Sequence, residues 1–256
     1  MKALILAAGR GTRIHSVHRD CPKCLIPFNN STILDHQIQS LFSAGVSNIG
    51  IVVGYEKDQI VQHVFTRYRD RRRQFSFIEN SVFAKTNNIY SFWLARTWLN
   101  GEPKEELSGE SFICLNADVV FDPSVLWPAM KSVAPITMIV DPEWRDETMK
   151  VIISDDRVIR MNKQIPQSEY SGTYIGITSF AASIHERLFA KVDNLIRTGG
   201  ENEFFNVAVQ ELADEGVHVG FTSTGNLPWA EIDDPADLAF AGLHVFPRLI
   251  SLRVAA

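Results

Sequence analysis

The 256-residue sequence predicts an α/β fold: a Rossmann-like, mainly parallel mixed sheet flanked by helices, with a smaller antiparallel layer toward the C-terminus. Three observations lead there. The chain opens on a continuously apolar run, Ala3–Leu6, the pattern of a strand buried on both faces. Strand-like and helix-like segments then alternate with short connections up to about residue 120, which implies right-handed crossovers and parallel pairing. Beyond residue 135 the strand-like segments crowd together, which suits antiparallel pairing.

The elements follow in order. Ser31–Ala44 reads as a helix, with Ile33, Leu34, Ile38, Leu41 and Phe42 at helical spacing and Gly45 as its stop. Asn48–Val53 is the next strand, Lys57–Tyr68 a helix, Phe75–Ile78 a strand and Ile89–Leu99 a helix. Phe112–Leu115 is a strand ending at Asn116-Ala117-Asp118. The crowded strands are Ile136–Val140, Met149–Ser154, Arg157–Met161 and Tyr174–Phe180. Helices at Ile184–Arg197 and Glu203–Glu215, a strand near Val217–Phe221 and a last helix from Pro235 complete the chain. Neither an internal repeat nor a Ser/Gly linker divides it. One domain, 1–256, is expected, with halves of about 1–120 and 121–256.

Charge and cysteine content narrow the function class. The net charge of −5 leaves no electrostatic footprint for nucleic acid, and the one basic run, Arg67 to Arg73, is short. Three cysteines do not make a disulfide framework. Met1-Lys2 runs straight into the first strand, and that apolar run is too short to span a membrane. The expected location is the cytoplasm. The oligomeric state stays open, a homodimer among the options.

The chemistry begins where the first strand ends. In Leu6-Ala7-Ala8-Gly9-Arg10-Gly11-Thr12-Arg13, small residues let backbone N–H groups approach phosphate oxygens. Ligands of an open parallel sheet bind beyond the C-terminal strand ends, where this loop must lie. Arg13 adds a planar charged fork and Lys23 a point charge. The string is neither a full dinucleotide fingerprint nor a P-loop. LAAGRGTR followed by Pro22-Lys23 resembles the signature of the nucleotidyltransferase family, the nucleoside-diphosphate-sugar pyrophosphorylases and their relatives. The resemblance runs in order to about Ala241. It implies that Arg13 and Lys23 grip a nucleoside triphosphate, with Lys23 at the reacting α-phosphate.

Asp118 closes the strand ICLNAD, and Asp233 sits in Trp229-Ala230-Glu231-Ile232-Asp233-Asp234-Pro235. Both are expected at strand ends on the ligand side. Mg²⁺ favours one or two carboxylates plus phosphates and water, and the resemblance implies that this aspartate pair holds it. Asp234 before Pro235 is a good helix start, so it reads as the cap and Asp233 as the ligand. His15, His18, Cys21 and Cys24, each three residues apart, carry zinc-ligand chemistry. All four crowd the loop that must present Arg13 and Lys23, which argues against a zinc site there.

Acceptor and base rest on resemblance alone. Sugar-specific relatives usually carry Gln-Pro-x-Gly-Thr-Ala after the third strand. This chain instead has Glu79-Asn80, then Thr86-Asn87-Asn88-Ile89-Tyr90-Ser91. That string resembles bacterial phosphocholine cytidylyltransferases and the related phosphonate cytidylyltransferases. Trp229 to Leu238 fits the phosphonate group particularly well. The resemblance implies CTP as donor and places Glu79, Asn80, Asn87 and Asn88 on the nucleotide side. Asn87 and Asn88 also suit an ordinary helix start. Tyr90, Trp144, Lys150, Lys163, Gly176 and Trp229 are the implied acceptor-side residues. Lys163 followed by Gly172-Thr173-Tyr174-Ile175-Gly176 resembles the family's acceptor-phosphate lysine and Gly-rich strand. Trp144 matches an aromatic of the phosphocholine enzymes, where rings bind quaternary ammonium, but Ala230 stands where another ring is expected.

The expectation is Mg²⁺-dependent transfer of CMP from CTP to a phosphonate or phosphate group of a small acceptor, with release of pyrophosphate. Two alternatives stand beside it. One is a sugar-1-phosphate nucleotidyltransferase using UTP, dTTP or GTP. The other is a non-catalytic nucleotide-sensing subunit of the same fold.

Overall fold

Lys2–Ala7 (β1) lies inside the sheet, paired with a parallel strand on either side. The computed structural model describes residues 1–14, 20–28, 30–100 and 110–249. After β1 come a helix at Ile33–Ser43 (α1), a strand at Ile49–Val53 (β2) and a helix at Lys57–Arg67 (α2). The Thr32 hydroxyl caps α1 by accepting from the Asp35 N–H at 3.0 Å. Phe75–Glu79 (β3) forms the far edge. Asn88–Leu94 (α3) and Arg96–Asn100 (α4) stand where one continuous helix was expected. They separate at Ala95, where Arg96 Nη1 donates to the Trp93 carbonyl at 3.0 Å. Phe112–Asn116 (β4) returns beside β1.

The second half adds Val119–Phe121 (β5), Ile136–Asp141 (β6), Lys150–Ser154 (β7), Arg157–Asn162 (β8) and Gly172–Phe180 (β9). Helices His185–Arg197 (α5) and Asn206–Asp214 (α6), strands Val219–Ser223 (β10) and Trp229–Glu231 (β11), and helix Pro235–Phe240 (α7) follow. The main sheet runs β8-β7-β9-β4-β1-β2-β3, with β6 paired to β9 and β10 to β6. Pairing is parallel from β4 to β3. The antiparallel strands expected from the sequence extend this sheet through β9.

Core residues cover both faces. On one, Phe92, Phe112, Phe180, Phe189 and Phe205 join α3, α5 and α6 to the sheet. On the other, Ile38, Leu41, Ile60, Leu115 and Ile177 join α1 and α2. Among the described residues no helix is long and apolar enough to cross a membrane.

Two three-residue strands, β5 and β11, escaped the sequence reading. They pair antiparallel, with Glu231 opposite Val119, and the Ile232 N–H donates to the Asp118 carbonyl at 2.9 Å. This ribbon carries residues 118 and 231–233 to the same end of the sheet. Asp234 is the helix cap: its Oδ1 accepts from the N–H groups of Ala236 and Asp237 at 2.7 and 2.9 Å. The cap orders the backbone just after Asp233.

Candidate active site

The loop after β1 turns sharply. Gly11 takes φ +61°, a left-handed conformation that favours glycine. A Cβ there would lie 2.8 Å from the Lys23 Cβ. The glycine therefore lets the loop close over the base of Lys23, whose ammonium reaches across to the ends of β4 and β11.

That ammonium bonds Asp118 Oδ2 at 2.8 Å and Asp233 Oδ1. Arg13 Nη2 pairs with Asp233 Oδ2 at 2.9 Å. Burial works against charge on Lys23, but the Asp118 and Asp233 carboxylates outweigh it and raise its pKa. Burial likewise opposes ionisation of Asp233, while Lys23 and Arg13 hold its pKa below the usual carboxylate range. Glu231 is the third acid. Its oxygens and those of Asp118 and Asp233 lie within 4.8 Å of one another. Burial first, then Asp118 and Asp233, push its pKa up to about 8. Asp118 Oδ1 is buried without a hydrogen-bond partner.

A cleft of about 380 Å³ opens above these groups. The β1 loop forms one wall, and Asn80, Phe83, Thr86, Asn87 and Ser91 another. Lys163 and Phe204 line it as well. A loop braced by ion pairs, a carboxylate trio and the nearby Lys163 form an arrangement that suits a polyphosphate beside a second anion.

A family model described as Nucleotidyl transferase matches residues 2–147, more than half of the chain. The chain belongs to the nucleotidyl transferase family. It is 27% identical over 261 residues to the CTP:phosphoglutamine cytidylyltransferase of Campylobacter jejuni, covering 93% of this chain and 98% of that protein. It is also 27% identical over 241 residues to the 2-aminoethylphosphonate cytidylyltransferase of Lancefieldella rimae, covering 93% and 90%. Among solved structures, the inositol-1-phosphate CTP transferase from T. maritima superposes with a TM-score of 0.78 at 25% identity, covering 97% of this chain and 95% of that one.

The nucleotidyl transferase cleft gathers most of the residues expected from the sequence. Leu6, Ala7, Ala8, Gly9, Gly11, Thr12, Arg13, Lys23, Asn80, Asn87, Asn88, Asp118, Lys163 and Asp233 all line it. Gly176, with φ +82°, lines a smaller chamber alongside. Several of these side chains hold the frame together. Asn80 Nδ2 donates to Thr86 Oγ1 and Ser91 Oγ, both at 3.1 Å. Asn87 caps α3 through a bond from the Asn88 N–H at 2.7 Å, and Asn88 Oδ1 accepts from the Phe205 N–H at 2.9 Å.

Five expected residues stand outside the lining of both spaces. Glu79 pairs with Lys57 at 2.7 Å on the surface. Tyr90 lies against Trp93, ring centroids 5.2 Å apart. The Lys150 ammonium donates to the Lys163 carbonyl at 3.1 Å and sits 4.7 Å from the Trp144 ring centroid. Trp229 is buried, with Nε1 donating to Asp141 Oδ2 at 2.5 Å and the Arg145 guanidinium 4.1 Å over its ring.

Glu231, Asn116, Phe83, Phe204 and Asn206 were not anticipated. Glu231 had a readable signal: it lies two residues before Asp233 in a short extended segment, so the two share a face. Asn206 and Phe204 had none, since only the packing of α6 brings them near. Of the four zinc-type residues, His15 and His18 lie outside the described residues, and Cys24 is buried beneath the loop with its thiol pKa pushed up by burial.

Proposed function

We propose that this nucleotidyl transferase moves CMP from CTP onto an oxygen of a small phosphonate or phosphate monoester and releases pyrophosphate. One observation carries the reading. Lys23 and Arg13 are fixed by carboxylates, and a second lysine, Lys163, which makes no ion pair among the described residues, lines the same cleft. Such a cleft suits two phosphorus centres meeting. The choice of CTP is supported by the three relatives above, all named for CTP or cytidylyl transfer.

The carboxylate trio fits Mg²⁺. It offers hard oxygen donors, an unpartnered buried oxygen on Asp118, and crowded acids that a dication would relieve. Asp118 and Asp233 would hold the ion, with Glu231 beside them. When bound, it would supply neutralisation of charge at the α-phosphate.

The chain's own residues do the rest. Lys23 neutralises charge at the α-phosphate, and Arg13 steadies the β- and γ-phosphates. Lys163 holds the acceptor. An acceptor oxygen attacks the α-phosphorus in line. The new O–P bond forms as the bond to the β-phosphate bridging oxygen breaks, and that electron pair leaves with pyrophosphate. The acceptor oxygen is already anionic at neutral pH, its second phosphate pKa being near ~6, so no general base is required. Alignment and charge neutralisation supply the rate.

A quaternary ammonium acceptor is disfavoured. The faces of Trp144 and Trp229, the two tryptophans expected from the sequence on the acceptor side, carry the chain's own Lys150 and Arg145.

Pyrophosphate release tests the proposal. CTP, UTP, dTTP and GTP are each offered with Mg²⁺ and a panel of phosphonates, phosphate monoesters and sugar 1-phosphates. Turnover is expected with CTP and a non-sugar acceptor. Turnover only with UTP or dTTP and a sugar 1-phosphate would favour the sugar branch. CTP binding without turnover on any acceptor would sink the enzyme reading.

A further inference from the structure

Asp118 sits in a tight turn between β4, which ends at Asn116, and β5, which begins at Val119. Its carboxylate can hold a cation beside Asp233 only while that turn presents it at a fixed place. One tether comes from the segment after β11, where the Ile232 N–H donates to the Asp118 carbonyl. A second comes from α1. Gln37 is fully buried, and its Nε2 donates to the Asn116 carbonyl at 2.8 Å and to the Val119 carbonyl at 2.9 Å. One amide group therefore spans the turn, spending both of its hydrogens on the carbonyls that flank Ala117 and Asp118. Because both partners can only accept, the orientation of the amide is dictated.

The other end of the same amide has no such use. Gln37 Oε1 is buried without a hydrogen-bond partner. An unpaired buried acceptor costs free energy, so this side chain is held by its two donor bonds alone. The preceding residue works in the same direction: His36 sets Nε2 2.7 Å from the Phe121 carbonyl, at the far end of β5. The helix that carries both is itself anchored, with Ile33, Leu34, Ile38 and Leu41 fully buried. Neither His36 nor Gln37 lines the cleft.

We propose that Gln37 is a positioning residue for the metal carboxylate: by pinning both carbonyls of the turn, it fixes where Asp118 presents its oxygens to a divalent cation. The proposal rests on the reading of Asp118 as a Mg²⁺ ligand in nucleotidyl transfer and extends it to a buried side chain that does not reach the cleft.

Water proton relaxation enhancement by Mn²⁺·CTP, with no acceptor present, reads the metal site of the full chain without turnover. Gln37→Met keeps the length of the side chain and removes both donors. It is expected to weaken Mn²⁺·CTP binding about tenfold or more. In pyrophosphate release with the acceptor used best, the Mg²⁺ concentration for half-maximal rate should rise by a similar factor, while the acceptor KM stays within about twofold. Gln37→Asn, which keeps the amide and draws it back by one methylene, should show the same shift in smaller degree and carries the comparison if Gln37→Met does not fold. Leu41→Ala, one turn further along α1, opens a cavity in the packing of the same helix and touches neither carbonyl. It should lower the urea midpoint and leave Mn²⁺·CTP binding within about twofold. Equal binding by the wild type and the Gln37 variants, equal weakening in Leu41→Ala, or no Mn²⁺·CTP binding by the wild type would overturn the proposal. Binding weakened in the Gln37 variants alone, in a protein that turns over no acceptor, would keep the positioning role and sink the reading of the reaction.

Discussion

The two walls of the cleft solve different problems. On the donor wall, Arg13, Lys23, Asp118 and Asp233 are bonded to one another. On the acceptor wall, Lys163 has no ion-pair partner among the described residues, and Asn206 Nδ2 has no hydrogen-bond partner. The donor wall is thus held near its working geometry by its own charges, which lowers the cost of ordering on binding. The acceptor wall keeps its bonding capacity for the ligand. Loss of a donor-wall group should therefore disturb the reaction itself, whereas loss of an acceptor-wall group should weaken one substrate.

The largest expected effect is on turnover. Asp118→Asn and Asp233→Asn each keep the side-chain shape but remove a carboxylate from beside Lys23. Each should lower kcat by about 10²–10⁴-fold, as removal of transition-state charge stabilisation does. Far-UV circular dichroism should be unchanged. Lys163→Met should act mainly on the acceptor, raising its KM about 10–100-fold. If Lys163→Met lowers kcat as deeply as Asp118→Asn and leaves the acceptor KM alone, the contrast between the walls is wrong.

A smaller effect should come from the loop that shapes the donor wall. Gly11→Ala forces a Cβ into a left-handed backbone and against the Lys23 side chain. The strain, about 1–3 kcal/mol, should appear as a KM for CTP raised about tenfold with an unchanged acceptor KM. An unchanged CTP KM would show that Lys23 is positioned without the turn.

The same asymmetry governs what could be read from the sequence. The donor wall is largely local: residues 6–13 and 23 follow one strand, and Asp118 closes another, so strand-end reasoning found them. Asp233 needed the family resemblance, and the ribbon of β5 and β11 that delivers it is too short to show a period. Glu231 was missed although its spacing from Asp233 was visible, because a three-residue strand gives little reason to apply a period of two. Lys163 and Gly176 were placed by resemblance, and both reach the cleft or its chamber. Trp144, Lys150 and Trp229 do not, because each is engaged in a tertiary contact that no local pattern encodes. Asn206 depends on how α6 docks and left no mark in the sequence.

The smallest effect concerns stability and isolates the scaffold under the acceptor wall. His185 is 5% exposed, edge-on to Phe112 with ring centroids 5.0 Å apart, and neither ring nitrogen has a hydrogen-bond partner. Burial first, then the nearby Lys2 charge, push its pKa down to about 4 from an ordinary 6.5. Below pH 6.5 the unfolded chain takes up a proton that the folded protein refuses. Stability contributed by the neutral ring is therefore present above that pH and is lost as the pH falls toward 4. Between pH 7.5 and 4.5 the loss amounts to about 2–3 kcal/mol. His185→Leu removes the titrating group while keeping an apolar side chain among the phenylalanines, so in urea unfolding the stability of the wild type relative to the variant should fall by about 2–3 kcal/mol over that range. Glu231, whose raised pKa of about 8 acts with the opposite sign in the same window, contributes equally to both proteins. Asp35 also titrates with folding, its pKa lowered by the His63 and Tyr68 bonds despite burial. Its contribution is lost only as the pH drops below the ordinary carboxylate value of 3.8, so it leaves this window almost untouched. Kinetics at pH 7.5 should be unchanged in His185→Leu. A stability difference between the two proteins that does not change with pH would remove His185 as the acid-sensitive point.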